Sequence, residues 1–376
     1  MMNLSRIQSY ILRYPDENDF GAQRMTVLVR AETADGIAGW GEGIAMWPEA
    51  CRATALIVEE GFGPLLISAG ELTVEDAWQR MRAHSWWYGE GGIACFALSA
   101  LDMALWDIEG KTTGQPLFEM LGGKQVERLR ATASAHVNKE TLEECVEEVA
   151  GFVAAGFGSV KLGFAKKGRS RIGRDPELDV GFIAALRSRL GPSIELLVDA
   201  GNGVRWDLET AVRTVSRMRE HGIGWIEEPF YPSDIENYRK LKSTVSVPIA
   251  TGEREWTVSG YQRLIETGTV DIVGVDPARA EGISGFRRID ELCGRARLKI
   301  NAHAWSTAIT TAASLHLSLA SENSLLFELK PFPVAVQQEL VENPISQTQG
   351  WVTAPSGPGL GIDVREEIVR KYAVFR

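Results

Sequence analysis

The sequence predicts an α/β protein, a (β/α)8 TIM-type barrel preceded by a smaller α+β capping domain. Three observations predict it. Beyond residue 128, eight short β-branched or apolar runs follow one another, mostly 23 to 28 residues apart. Each of the first seven is followed by an amphipathic helical stretch. Six of the eight end on, or just before, an acid or a histidine, and barrels carry their chemistry at that end of the strands. A doubly wound sheet is the alternative, but it has fewer strands and often an early glycine-rich phosphate loop, which is missing here.

The elements follow in order. Met25–Ala31 and Gly36–Gly41 read as a strand pair turning at Ala34–Gly36. Helical periodicity covers Val74–His84 and Ile93–Glu109, the second stopping at Gly110. Gly122–Gly123 closes this segment, which places a capping domain at 1–128. The barrel, 129–349, takes its strands from Ala131–Val137, Gly158–Gly163, Ile194–Asp199, Ile223–Glu227, Pro248–Gly252, Asp271–Asp276, Leu298–His303 and Ser324–Glu328. Helical segments such as Leu142–Ala155, Leu178–Leu190, Leu208–His221 and Ile283–Ala296 lie between them. One interval is long because it holds a basic insertion, Ala165–Arg174, which belongs in a loop over the barrel mouth. The tail, 350–376, opens with turn residues over 350–361 and is expected to return to the capping domain.

Composition narrows the function classes. Apolar residues make up 44% and charged residues 24%, values of a soluble globular protein and not of a disordered one. Forty basic residues against 50 acidic ones leave a net charge of −10, so no nucleic-acid partner is expected. No apolar run reaches membrane-spanning length, and the N-terminal stretch lacks a signal-peptide core. The four cysteines, Cys51, Cys95, Cys145 and Cys293, form no CxxC pair. Reduced thiols in the cytoplasm are expected.

The chemistry sits at the strand ends. Asp199 ends the third strand, Glu227 the fourth, and Glu253 follows the fifth. Three acids at one barrel mouth repel one another, by roughly 4 kcal/mol per pair at about 4 Å and an effective dielectric near 20. A cation resolves this, and hard oxygen ligands in small number suit Mg²⁺. Asp276 and His303 end neighbouring strands. An acid on one imidazole nitrogen fixes the tautomer and makes the other nitrogen a general base. Glu328 ends the eighth strand, where a protonated acid would donate to a developing oxyanion if its site raised its pKa. His84, His136, His221 and His316 have no comparable setting.

Here a resemblance enters. Leu-Leu-Val-Asp-Ala at 196–200, Trp-Ile-Glu-Glu-Pro-Phe at 225–230 and Thr-Gly-Glu at 251–253 resemble the enolase superfamily, in its mandelate racemase and acid-sugar dehydratase branch. Ala-Leu-Trp-Asp-Ile-Glu-Gly-Lys at 104–111 and Pro-Leu-Phe-Glu-Met-Leu-Gly-Gly at 116–123 are similar to that family's capping-domain signature. The resemblance covers essentially the whole chain. It implies that Asp199, Glu227 and Glu253 bind Mg²⁺, which binds the substrate carboxylate and stabilises an enediolate. It also implies that Asp276 and His303 form a catalytic dyad, and that Glu328 hydrogen-bonds the substrate carboxylate. Muconate-lactonising and dipeptide-epimerising relatives carry lysine where this chain has Asp276.

The second strand departs from the pattern. Racemases end it with Lys-x-Lys, whereas Val-Lys-Leu-Gly at 160–163 keeps Lys161 and has Gly163 in the second place. Strand residues two apart share a face, so the missing side chain is lost from the mouth itself. Lys161 is expected to neutralise the substrate carboxylate. Lys166, Lys167 and Arg169 of the insertion are possible substitutes for the missing lysine. Without it the expected reaction is one-base: His303 takes the α-proton of a sugar acid and protonates the leaving β-hydroxyl, giving a 2-keto-3-deoxy acid. Gly163→Lys is then expected to restore weak epimerisation. Cycloisomerisation of a sugar-acid lactone or anhydro sugar, a racemase or epimerase, and an inactive metal- and sugar-acid-binding homologue are the alternatives. Loops Pro15–Arg24 and Met46–Cys51 are expected to close over the mouth, with Trp47, Trp86, Trp87 and Tyr88 as an aromatic wall or as packing. A homo-oligomer, dimer to octamer, completes the expectation.

Overall fold

The chain opens with a 15-residue strand, β1 (Met2–Asp16), which the periodicity did not announce. It pairs antiparallel with β2 (Ala22–Thr33), and β2 pairs with β3 (Ala38–Gly43) across a turn where Gly36 takes φ +89°. With β4 (Glu71–Leu72) the sheet order is β3-β2-β1-β4. The helix Val74–Ser85 starts at a capping box, Thr73 and Asp76 satisfying each other's backbone N–H groups. The 21-residue helix Ile93–Thr113 is buried nearly all round and lies against β3. The β3 glycines allow this closeness: a Cβ at Gly41 would lie 1.9 Å from the Ala100 carbonyl oxygen. The computed structural model describes residues 1–374 except Gly168 and Asn202. Gly168 of the basic insertion and the last two residues of the tail therefore lie outside the described residues.

Eight parallel strands follow: β5 (Leu129–Ala135), β6 (Ser159–Gly163), β7 (Glu195–Asp199), β8 (Ile223–Glu227), β9 (Ile249–Thr251), β10 (Ile272–Val275), β11 (Lys299–Ala302) and β12 (Phe327–Leu329). They run β11-β10-β9-β8-β7-β6-β5-β12. The seam between β11 and β12 is closed by the bridge Ile300–Ser324. A strand from the tail, β13 (Trp351–Val352), pairs antiparallel with β5. Among the described residues seven helices cross over, from Leu142–Ala154 to Ala308–Leu319, and most start at a side-chain cap such as Thr141, Asp175 or Asp207. This is a TIM-type barrel with an N-terminal cap.

Two buried acids hold the parts together, Glu42 joining cap to barrel and Asp107 joining cap to tail. Glu42 on β3 accepts from Thr26 (2.7 Å), Thr307 and Thr310 (both 2.6 Å), and from Ser306. It thus grips the start of the helix Ala308–Leu319, where the helix dipole favours negative charge. Asp107, from the motif at 104–111, accepts from the backbone of Trp40 and Leu360 and from Lys111. The tail continues onto β1, where the Val374 N–H donates to the Ile11 carbonyl at 2.8 Å. All four cysteines are buried and unpaired. Among the described residues, no helix is long and apolar enough to cross a membrane.

His316 ties these parts together. Its Nδ1 accepts from the Phe118 N–H at 3.2 Å, and Nε2 contacts the Leu360 carbonyl at 3.1 Å. Burial lowers its pKa to about 4 from an ordinary 6.5. Between those values the unfolded chain binds a proton that the folded chain refuses, so stability falls as pH drops through the window. At about 1.4 kcal/mol per pKa unit the whole window is worth roughly 3 kcal/mol. Urea unfolding at pH 7 and pH 5 should show part of this loss, about 2 kcal/mol, in the wild type and a shallower one in His316→Gln. Equal slopes in the two proteins would count against it.

Candidate active site

Strand register sets the site. Gly163 pairs with Asp199, Asp199 with Glu227, and Glu227 with Ala250, so β6 to β9 end at one level. Glu253 follows β9 by two residues, Asp276 and His303 immediately follow β10 and β11, and Glu328 lies within β12. All of these acids except Glu227, together with Lys161 and His303, line one cavity of about 270 Å³. Glu227 is 2% exposed and does not line it.

His303 and Asp276 are hydrogen-bonded, Nδ1 to Oδ2 at 2.7 Å. The other Asp276 oxygen accepts from the Ala278 N–H at 2.8 Å, so the carboxylate is fixed at both ends. Nε2 of His303 points to the cavity side, 3.7 Å from Glu253. Burial opposes charge on the ring. The hydrogen bond to Asp276 and the negative charges of Glu253 and Asp276 outweigh it and raise the pKa to about 9.

Lys161 is buried between two carboxylates, 3.0 Å from Glu227 and 2.8 Å from Glu328. Burial works against its charge, but Glu227 and Glu328 hold it well above the ordinary lysine range. Glu328 also accepts from Asn301 at 2.6 Å. Burial raises the Glu328 pKa, yet Lys161 prevails and lowers it. The idea of Glu328 as a protonated donor therefore meets the opposite electrostatics in this arrangement. Glu227 is pushed up, by burial and by the surrounding charges of Asp199, Glu253 and Glu328.

Lys166 of the basic insertion turns inward and lies 3.3 Å from Asp199. Among the described residues, no three acid, histidine or cysteine side chains close on one point as a finished metal cage. The donor set nevertheless fits a hard cation. Oδ1 of Asp199 is buried and accepts no hydrogen bond. Oε2 of Glu227 is buried beside Lys161 without hydrogen-bond alignment. One buried oxygen of Asp199 thus lacks a donor and one of Glu227, on the adjacent in-register strand, is met only by its ion pair with Lys161, and burying carboxylate oxygens so poorly met is costly.

The place opened by Gly163 is filled. A Cβ there would lie 2.5 Å from Cδ2 of His136 and 2.7 Å from Cε of Lys166. The face expected to be empty therefore carries two nitrogen side chains, and a lysine introduced by Gly163→Lys would have to displace them. Gly163→Ala should itself cost about 1–3 kcal/mol, the range for overpacking. A melting temperature equal to wild type would show that the space is free.

Other expectations change as well. Trp86 and Trp87 are 66% and 80% exposed, and neither they nor Trp47 nor Tyr88 line the cavity. They are neither wall nor core. The two cap loops do reach the mouth, through Arg24 and Met46. The expected strand Ala131–Val137 contains His136, so the strand-end rule does not single it out in the sequence. The strand ends at Ala135, and His136 is the next residue, the position that the strand-end rule singles out.

Known proteins resemble this chain along its length. A family model described as Enolase C-terminal domain-like matches residues 144–368. Another, described as Mandelate racemase / muconate lactonizing enzyme, N-terminal domain, matches residues 19–122. D-galactarolactone cycloisomerase of Agrobacterium fabrum is 28% identical, covering 99% of both chains. Arabinonate dehydratase of Saccharolobus solfataricus is also 28% identical, over 92% of this chain and 90% of its own. The crystal structure of the 3,6-anhydro-D-galactonate cycloisomerase from Zobellia galactanivorans superposes with a TM-score of 0.88 at 28% identity, covering 99% of this chain and 100% of that one.

Proposed function

Because this chain belongs to the enolase superfamily, in its mandelate racemase and acid-sugar dehydratase branch, we propose that it is an acid-sugar dehydratase. It removes the proton α to the carboxylate of a sugar acid and eliminates water to give a 2-keto-3-deoxy acid. The observation that carries this reading is the hydrogen-bonded His303–Asp276 pair facing the strand-end carboxylates across one small cavity. At the coarser level the chain is an enzyme of the lyase or isomerase kind.

Asp199, Glu227 and Glu253 would hold the cation. Mg²⁺ bound there supplies a Lewis acid that draws negative charge off the substrate carboxylate and acidifies the α-proton. The rest belongs to the chain. Lys161 adds positive charge beside the carboxylate, and its two ion pairs keep it in place. Nε2 of His303 accepts the α-proton, and the C–H electron pair becomes a carbon–carbon double bond as the β C–O bond breaks. The imidazolium returns that proton to the departing oxygen, which leaves as water. The enol then tautomerises to the ketone. Asp276 keeps Nδ1 protonated throughout and steadies the imidazolium.

A second reading is favoured by the two cycloisomerases above, one of which matches along 99% of both chains. There the leaving oxygen belongs to a lactone or anhydro ring, and the same proton is taken. A screen of mono- and diacid sugars, their lactones and anhydro forms, with Mg²⁺ present, separates the readings. A 2-keto-3-deoxy product from a free sugar acid supports dehydration. Consumption of ring forms alone replaces it by cycloisomerisation. Inertness toward every acid that binds, with Mg²⁺ bound, leaves a non-catalytic homologue.

A further inference from the structure

We propose that His136, steered by the capping-domain carboxylate of Asp19, binds a hydroxyl of the substrate at the Gly163 side of the cavity and selects acids that carry a hydroxyl beyond the α-carbon. This rests on the sugar-acid reading above and adds the residue that reads the sugar.

His303 stands at the end of β11 and Gly163 at the end of β6, with β12 and β5 between them around the barrel. The His136 ring lies over Gly163, Nε2 being 3.1 Å from where a Cβ would be. Both histidines line the same cavity. At about 270 Å³ that cavity is below the usual range for drug-sized ligands, about 300–1,000 Å³, so an acid held at the carboxylate cluster reaches its other walls.

The ring is also held. Trp305 lies 5.3 Å from it on a tilt of 32°, and Phe20 lies 6.1 Å away. Nδ1 is buried, has no hydrogen bond, and stands 3.7 Å from the Asp19 carboxylate. Asp19 is in turn 3.0 Å from Arg24, which also lines the cavity. A carboxylate on the Nδ1 side favours the proton on that nitrogen and leaves the Nε2 lone pair to accept from a hydroxyl. Burial lowers the ring's pKa and outweighs Asp19, so the ring is uncharged and an acceptor.

The loop that brings Asp19 is anchored to the barrel independently. Asp16 and Lys330 form a buried ion pair at 2.6 Å. Asn18 makes a reciprocal pair of hydrogen bonds with the Phe332 backbone, at 2.9 and 3.0 Å. Asp19 follows directly and lies between Arg24 and His136.

Calorimetry tests this without turnover. With Mg²⁺ present, wild type, His136→Phe, His136→Gln and Asp19→Asn are titrated with hexonates and hexarates and with 2-hydroxybutyrate, which has no further hydroxyl. The wild type should bind its best polyhydroxy acid more tightly than 2-hydroxybutyrate. His136→Phe should weaken the polyhydroxy acid roughly ten-fold, the scale of a lost buried hydrogen bond, and leave 2-hydroxybutyrate within two-fold. Asp19→Asn should move the same way by less, and His136→Gln should recover part of the loss. Equal losses for both ligands, no loss at all, or a wild type without preference for further hydroxyls overturns the proposal. Selective binding without turnover would instead overturn the dehydratase reading alone. Should His136→Phe fail to fold, the other two variants carry the comparison.

Discussion

Replacing His303 by asparagine should lower kcat by at least about 10² to 10⁴, the contribution of one positioned general base, and by more if the residue serves both proton transfers. Asparagine keeps a polar group near Asp276 but has no basic lone pair to offer the α-proton. Exchange of that proton with D₂O should therefore stop together with product formation. Exchange at the wild-type rate in His303→Asn would assign the base elsewhere. Lys161 is the poorer candidate, because Glu227 and Glu328 keep it charged. Lys166 is held charged in the same way by Asp199, so the uncharged His136 of the same cavity would then come first. Asp276→Asn is the companion variant, since removing the carboxylate of a His–Asp pair elsewhere costs about 10⁴ by holding the wrong tautomer. The pH profile carries the same sign. The base works when neutral, so kcat/KM rises with pH through the His303 pKa. Without a cation that value is about 9. Neutralising Glu253 removes part of the upward pull and draws the limb back toward the ordinary 6.5. In Asp276→Asn the limb should move further down.

The barrel was legible because its two signals reinforce each other. Buried parallel strands read as apolar runs, and each ends where polar chemistry begins, so Asp199, Glu227, Asp276 and His303 marked strand ends to within a residue. The eighth strand was the least well placed. Ser324, taken as its start, instead makes the bridge that closes the barrel, and the strand is Phe327–Leu329. β1 escaped because its burial breaks step in the middle, where Ser5 and Arg6 are both exposed. Its pairing with β2 comes from a distant partner and not from local alternation. Lys166 escaped for a different reason. An irregular loop has no period, and its direction is fixed by contacts such as the Ala165 N–H to the Ile172 carbonyl (2.9 Å) that no local pattern reveals. Gly163 shows the limit of reading a site by what one strand lacks. The vacancy was real in sequence, and neighbours from β5's end and from the insertion occupy it in space.

Removing divalent metal should abolish activity, and Mg²⁺ should restore it. The carboxylates of the site outnumber the cations that answer them. Asp199, Glu227, Glu253 and Glu328 are answered within the cavity mainly by Lys161 and Lys166 and by the His303 edge. Lys161 is shared by two acids, and its sharing leaves Glu227 short: the carboxyl is driven up by burial and by three like charges. Asp199 keeps one buried oxygen without a donor. At roughly 4 kcal/mol per close carboxylate pair, a divalent ion accepting oxygens from adjacent strand ends relieves more repulsion than a lysine serving one oxygen each. Two consequences can be measured. Calorimetry on Glu227→Gln with Glu253→Gln should show Mg²⁺ binding lost or weakened at least a hundred-fold, because two of three charged ligands become neutral amides. The same double variant should be more stable than wild type in EDTA, since the uncompensated repulsion is gone, and should gain nothing on addition of Mg²⁺, whereas wild type gains in proportion to ligand occupancy. Unchanged Mg²⁺ affinity in the double variant would move the cation away from these acids and take the Lewis-acid part of the reaction with it.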